Sequence, residues 1–206
     1  MTYISTSLQD YGIKPWANVK QVIVAGQSNA VNVMNSTPTP IAPTGAALAY
    51  VCQGGTSLKV HWQPGYQYHL RENLISAVAT APAGKIAVLW IQGESDQDAL
   101  ESASSYVANF ASLKTDVEGS RAADVLWLIT YISSVTKYGY QPSMRVGQQQ
   151  IVGALPRVMA INTDGYAIQT TGIGDGLGVH YQNSACVQCW QDALTLMSSL
   201  TPTIEP

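Results

Sequence analysis

Apolar runs of strand length recur along this chain, at Val19–Ala25, Ala46–Cys52, Lys85–Ile91, Val125–Ile132 and Val158–Ile161, and they are not confined to alternate positions. Strands of that kind are buried on both faces, which is the mark of a parallel sheet covered by helices. The segments between them carry helical spacing. Leu70, Leu74, Ile75 and Val78 share one face of a helix that stops near Pro82 and Gly84. Tyr106, Val107, Phe110 and Leu113 do the same before Gly119, and Met144–Leu155 and Ser184–Leu200 complete the set. The expected class is α/β, a three-layer α/β/α sandwich around a flavodoxin-like parallel sheet of five strands. With 206 residues and no repeat or linker-like composition shift, the expectation is a single domain over residues 1–206. The Pro/Thr stretch at 36–45 reads as a loop between the first two strands.

Charge sets limits on partners. Only 11% of residues are charged, the net charge is -3 and Lys and Arg form no cluster, so nothing here meets a nucleic-acid backbone. No apolar run approaches the roughly 18 to 20 residues that span a bilayer, and the start MTYISTSLQDYG lacks the basic and apolar regions of a secretion signal. A soluble chain without a membrane partner is expected. Its compartment is left open, extracellular and virion-associated locations included. Cys186 and Cys189 form a lone C-x-x-C inside an expected helix, with no second pair to complete a zinc site, and read as packing residues. Neither metal nor cofactor is expected.

Function in an open parallel sheet collects beyond the carboxyl ends of the strands, where strand order reverses. Three polar motifs follow strands directly: GQSN at 26–29, QGGTS at 53–57 and QGESD at 92–96. In the order 2-1-3-4-5 those three strands are neighbours, so the motifs converge. Acyl transfer needs a nucleophile, a base within hydrogen-bond reach and donors aimed at the developing oxyanion. Ser28 supplies a hydroxyl, Gly54 and Gly55 allow backbone N–H groups to approach a substrate, and Gln92 offers a side-chain amide. The base is expected to be His180, in the glycine-rich loop GIGDGLGVHY before the last helix. His61 and His69 flank the aromatic loop HWQPGYQYH and are expected at surface or structural positions. Ser28 or Asn29 also has a plainer reading, as the cap of the following helix.

Together these motifs resemble the SGNH hydrolase superfamily, and within it the sialate O-acetylesterase-like group that includes carbohydrate esterase family six. The resemblance rests on GQSN, on GGTS at 54–57 followed by Trp62, on QGESD, and on His180–Tyr181, and it runs from about residue 20 to about residue 190. It implies a serine esterase that removes O-acetyl groups from a carbohydrate without a metal. Ser28 would be the nucleophile and His180 the base. The oxyanion would be met by the backbone N–H groups of Ser28 and Gly55 and by the Gln92 amide. Gln27, Asn29 and Trp62 are the expected substrate contacts, with Tyr66 and Tyr68 as further candidates for the cleft wall.

The chain departs from the family pattern at the acid of the triad. The usual arrangement is Asp three residues before the His, a position held here by Leu177. Asp175, five residues before, and Glu94 of QGESD are the two candidates. That departure keeps a second reading open, a non-catalytic carbohydrate-binding or structural module on the same fold. The low charge and the Gln/Ser/Thr-rich polar set also suit a domain carried on a larger assembly, such as a phage tail component acting on surface polysaccharide.

Overall fold

The computed structural model describes residues 19–121, 125–133, 142–169 and 179–199. Five parallel strands, β1 (Val19–Gly26), β2 (Ala47–Cys52), β3 (Lys85–Ile91), β4 (Val125–Thr130) and β5 (Val158–Ile161), form one sheet in the order β2-β1-β3-β4-β5. Helices α1 (Ser28–Met34), α2 (Leu70–Ala79), α3 (Glu94–Asp98), α4 (Ala103–Gly119), α5 (Pro142–Ala154) and α6 (Asn183–Ser199) connect and cover the strands. This is the three-layer, flavodoxin-like arrangement expected from the sequence.

Alternate residues of each strand face opposite layers. Ile23, Val88, Trp90 and Trp127 pack under α2, α4 and α5, with Leu74, Phe110 and Ile151 reaching them. Val22, Val24, Leu89 and Leu128 face α1 and α6, meeting Val33, Cys189 and Leu196. The first layer is knitted by edge-to-face aromatics, Trp62–Trp90 at 4.7 Å, Phe110–Trp127 at 5.2 Å and Trp90–Phe110 at 5.9 Å between ring centroids. Cys186 and Cys189 are buried free thiols in that second core, as their packing reading requires. Burial pushes the Cys186 thiol up to about 11.

Several expectations need adjusting. β4 stops at Thr130 rather than Ile132, after which Ile132 N–H donates to Gln148 Oε1 of α5 instead of to a strand. β2 is not buried on both faces: it pairs only with β1 and stands at the sheet edge, leaving Tyr50 largely exposed. α3 was not expected at all. It follows Gly93, whose φ of +144° turns the chain sharply where an added Cβ would lie 2.8 Å from Ile132 Cγ2.

Candidate active site

The carboxyl ends of β1, β2 and β3 carry the three motifs, and parallel pairing brings them side by side. Gly26 ends β1 at φ +140°, with its α-carbon so close to the Ile91 carbonyl that any side chain would overlap it. The turn is then pinned on both sides, by Gln27 N–H to Ile91 O at 3.0 Å and by Gln53 N–H to Gly26 O at 3.2 Å. Ser28 therefore leaves the sheet as the half-buried first residue of α1. A Cβ placed on Gly54 would lie 3.8 Å from Ser28 Cβ, so the GGTS backbone runs directly beside the serine.

A cleft of about 580 Å³ opens over this point. Ser28, Gly54, Gly55, Glu94 and His180 all line it, with Gln27 at its floor. Asp175 lies outside the described residues, as does Leu177. Glu94 is buried, and its Oε1 accepts from Asn29 Nδ2 at 2.7 Å while Oε2 has no hydrogen-bond partner among the described residues. Burial holds its carboxyl above the usual carboxylate range, with its own backbone N–H and the Asn29 amide pulling the other way.

Asn29 is not a substrate contact. It is fully buried, and its side chain spans three segments: besides Glu94, Nδ2 donates to Val179 O at 3.0 Å and Oδ1 accepts from Tyr181 N–H at 2.9 Å. The residue after Ser28 thus grips the backbone on each side of His180 and the carboxylate of QGESD at once.

Gln92, expected as an oxyanion donor, does not reach the cleft wall. Its amide nitrogen donates to Asp96 Oδ2, with Gln27 Oε1 and Thr56 O each at 3.4 Å, and its oxygen accepts from Tyr106 O–H at 2.9 Å. Both ends are committed to holding the motifs together. Asp96 continues that tie, accepting Leu58 N–H at 2.8 Å and Lys59 N–H at 3.1 Å. Its carboxyl is raised by burial, opposed by those same hydrogen bonds. Trp62 is likewise corrected: it is wholly buried against Trp90 in the core, because its ring replaces water with aromatic neighbours beneath the loop rather than above it.

Four cleft residues are given no role by the sequence reading: Ser57 and Ser95, which lie inside the motifs QGGTS and QGESD, and His61 and Asp98, which lie outside them. Ser57 N–H donates to His61 Nδ1 at 3.0 Å, so a neutral His61 ring carries its proton on Nε2. Tyr66 meets that ring edge-on at 4.9 Å and Tyr68 stacks on it at 5.9 Å. The S-x-x-x-H spacing within 57–61 was the one available hint. His69 instead stands exposed before α2 with φ +50°, away from the cleft.

A parallel α/β/α sandwich with Gly-turn motifs gathered at the ends of β1, β2 and β3 defines a hydrolase fold of the SGNH type. The family described as carbohydrate esterase, sialic acid-specific acetylesterase, matches residues 42–192, and the chain belongs to it. That membership makes it a carboxylic ester hydrolase by class. Among solved structures, a protein of Arabidopsis thaliana is similar at 24% identity and TM-score 0.59, the match covering 82% of this chain and 66% of that one. A carbohydrate esterase family 3 protein from Talaromyces cellulolyticus matches at 13% identity and TM-score 0.56, over 88% of this chain and 98% of that one. A carbohydrate acetylesterase from Sinorhizobium meliloti matches at 12% identity and TM-score 0.57, over 88% and 99%. Likeness at these identities concerns the fold. Among curated proteins none is significantly similar to this chain.

Proposed function

We propose that the chain removes O-acetyl groups from a carbohydrate by serine chemistry, with Ser28 as nucleophile, His180 as general base and Glu94 as the acid that orients it. Ser28 Oγ attacks the ester carbonyl as His180 takes its proton. The tetrahedral oxyanion is met by the backbone N–H groups of Ser28 and Gly55. Collapse breaks the bond to the sugar oxygen, which leaves with the proton from His180, and an acetyl group stays on Ser28. Water, deprotonated by His180, then attacks the acyl-enzyme; acetate departs and the serine recovers its proton. Gln92 acts here as a strut that holds QGESD against GQSN, not as a donor to the oxyanion.

The observation that carries this reading is the Asn29 side chain, which binds Glu94 and both flanks of His180 next to Ser28. A carboxylate with one oxygen anchored and the other unpaired, on the wall that His180 shares, is the disposition a triad acid needs. Ser57, His61, Ser95 and Asp98 would meet sugar hydroxyls. The test is hydrolysis of p-nitrophenyl acetate together with labelling by a fluorophosphonate. Ser28→Ala should abolish both with the fold retained, and unchanged turnover in that variant ends the proposal. Glu94→Gln should lower kcat by about 100-fold or more. If Asp175→Asn has that effect and Glu94→Gln does not, the acid is Asp175.

A further inference from the structure

A second groove, of about 530 Å³, runs between the exposed face of β2 and helix α2. Its walls hold two tyrosines in contact with solvent, Tyr50 at 66% and Tyr68 at 44% exposure. Between them stand Gln53, Asn73, Ser76 and Thr80, and none of the residues lining the groove carries a charge. The side-chain amides of Gln53 and Asn73 are exposed and have no hydrogen-bond partner among the described residues. Flat aromatic faces beside the uncommitted amides of Gln53 and Asn73 match the two sides of a pyranose ring, which has an apolar C–H face and a polar rim.

Two links join the lining of this groove to that of the cleft over Ser28. Gln53 is the chain neighbour of Gly54, which lies beside Ser28. Tyr68 stacks at 10° interplanar angle on His61, itself a lining residue of the cleft. We propose that this groove is a glycan-binding track for the unacetylated part of the substrate, and that the substrate is therefore a neutral polysaccharide chain rather than a single acetylated sugar. This deepens the acetylesterase reading and rests on it. Sugar units next to the acetylated one lie along Tyr68 and Tyr50, and their hydroxyls exchange hydrogen bonds with Gln53 and Asn73. Binding energy from those remote units positions the ester at Ser28.

β2 is an edge strand, and an open edge also invites pairing with a second copy of the chain. The two occupants separate experimentally. Tyr50→Ala and Asn73→Ala touch neither Ser28 nor His180. Kinetics would be measured on p-nitrophenyl acetate, on a monoacetylated methyl xyloside and on a partly acetylated xylohexaose, and binding on unacetylated xylohexaose and cello-hexaose by calorimetry. The wild type should prefer the acetylated hexamer to the monomer in kcat/KM. Tyr50→Ala should lower hexamer kcat/KM by about tenfold, the worth of one aromatic platform, with the rate on p-nitrophenyl acetate unchanged. It should also weaken binding of at least one unacetylated hexamer. Equal effects on all three esters, no hexamer preference in the wild type, or a dimer in scattering that dissociates on Tyr50→Ala would overturn the inference. If p-nitrophenyl acetate is not hydrolysed at all, the esterase proposal fails by itself, and the calorimetry still decides the groove: binding lost in Tyr50→Ala supports it, and no binding by the wild type refutes it.

Discussion

Asn29 offers the sharpest test of how the cleft is assembled. Asn29→Ala would leave Tyr181 N–H, Val179 O and Glu94 Oε1 without their partners in a buried region. At about 1–3 kcal/mol for each buried group left unpaired, the loss is on the order of 5 kcal/mol, comparable to the whole stability of a marginal domain. Asn29→Asp is the graded version. It keeps an acceptor for Tyr181 N–H but sets a carboxylate oxygen where Nδ2 now sits 2.7 Å from Glu94 Oε1. At an effective dielectric near 20, two such charges repel by about 6 kcal/mol, or more than ~4 pKa units, so the pair keeps one proton instead. That proton restores the contact to Glu94, while Val179 O loses its donor at a cost of about 1–3 kcal/mol. Because the native pair binds a proton that the unfolded chain releases, stability falls as pH rises from the carboxylate range toward the pair's raised pKa. Urea denaturation of both proteins between about pH 5 and 8, with kcat/KM on p-nitrophenyl acetate at each pH, measures the gap. It should widen toward alkaline pH, with activity falling alongside. A gap that stays flat with pH, or stability within about 0.5 kcal/mol of wild type, would refute the clamp.

Glu94→Gln separates stability from catalysis. Burial raises the Glu94 carboxyl above its ordinary 4.5, so the native state holds its proton to higher pH than the unfolded chain, and this group's contribution to stability declines as pH rises through that window. The Gln variant lacks the titration and should gain on wild type from acid to neutral pH in urea midpoints; a constant difference would count against a raised pKa. Gly93→Ala should cost on the order of 2 kcal/mol or more, since φ is +144° and the new methyl would stand 2.8 Å from Ile132 Cγ2 and 3.0 Å from Gln148 Nε2; a melting temperature equal to wild type would contradict that. Asp96→Asn turns one acceptor toward a donor it cannot satisfy, at Leu58 N–H, Lys59 N–H or the Gln92 amide. A destabilisation of about 1–3 kcal/mol is expected by urea unfolding, together with a higher KM for acetylated saccharide because the 57–61 segment loosens.

The sheet was legible because its signals are local. Apolar runs, their spacing and the helical segments between them give five parallel strands, and the position of each motif after a strand places it at one rim. Edge and centre were not distinguishable: ALAYVC reads as buried as VLWLIT, yet only the latter is covered on both faces. Helix α3 was hidden for another reason. ESDQD has no apolar periodicity, and its helix is set by the turn at Gly93 and by buried contacts of Glu94, Asp96 and Gln97 with other parts of the chain.

The site's inner construction was hidden for the same kind of reason, and its consequence is specific. Asn29 and Gln92 lie inside the glycine motifs and Trp62 a few residues after one, where a sequence offers only two readings, a ligand contact or a cap. Asn29 instead bonds to residues 65, 150 and 152 positions away. Buried side-chain amides suit this work because each has donors and an acceptor and none of the cost of burying a charge. In a chain with few charges, amides take the bracing roles around the cleft. The carboxylates Glu94 and Asp96 are left among them, each anchored by N–H donors and each raised by burial. Of the two, Asp96 has both oxygens engaged, whereas one oxygen of Glu94, a cleft residue, is unpaired among the described residues. That difference in saturation suits Asp96 to bracing and, of these two carboxylates, supports Glu94 in the proposed role of orienting His180.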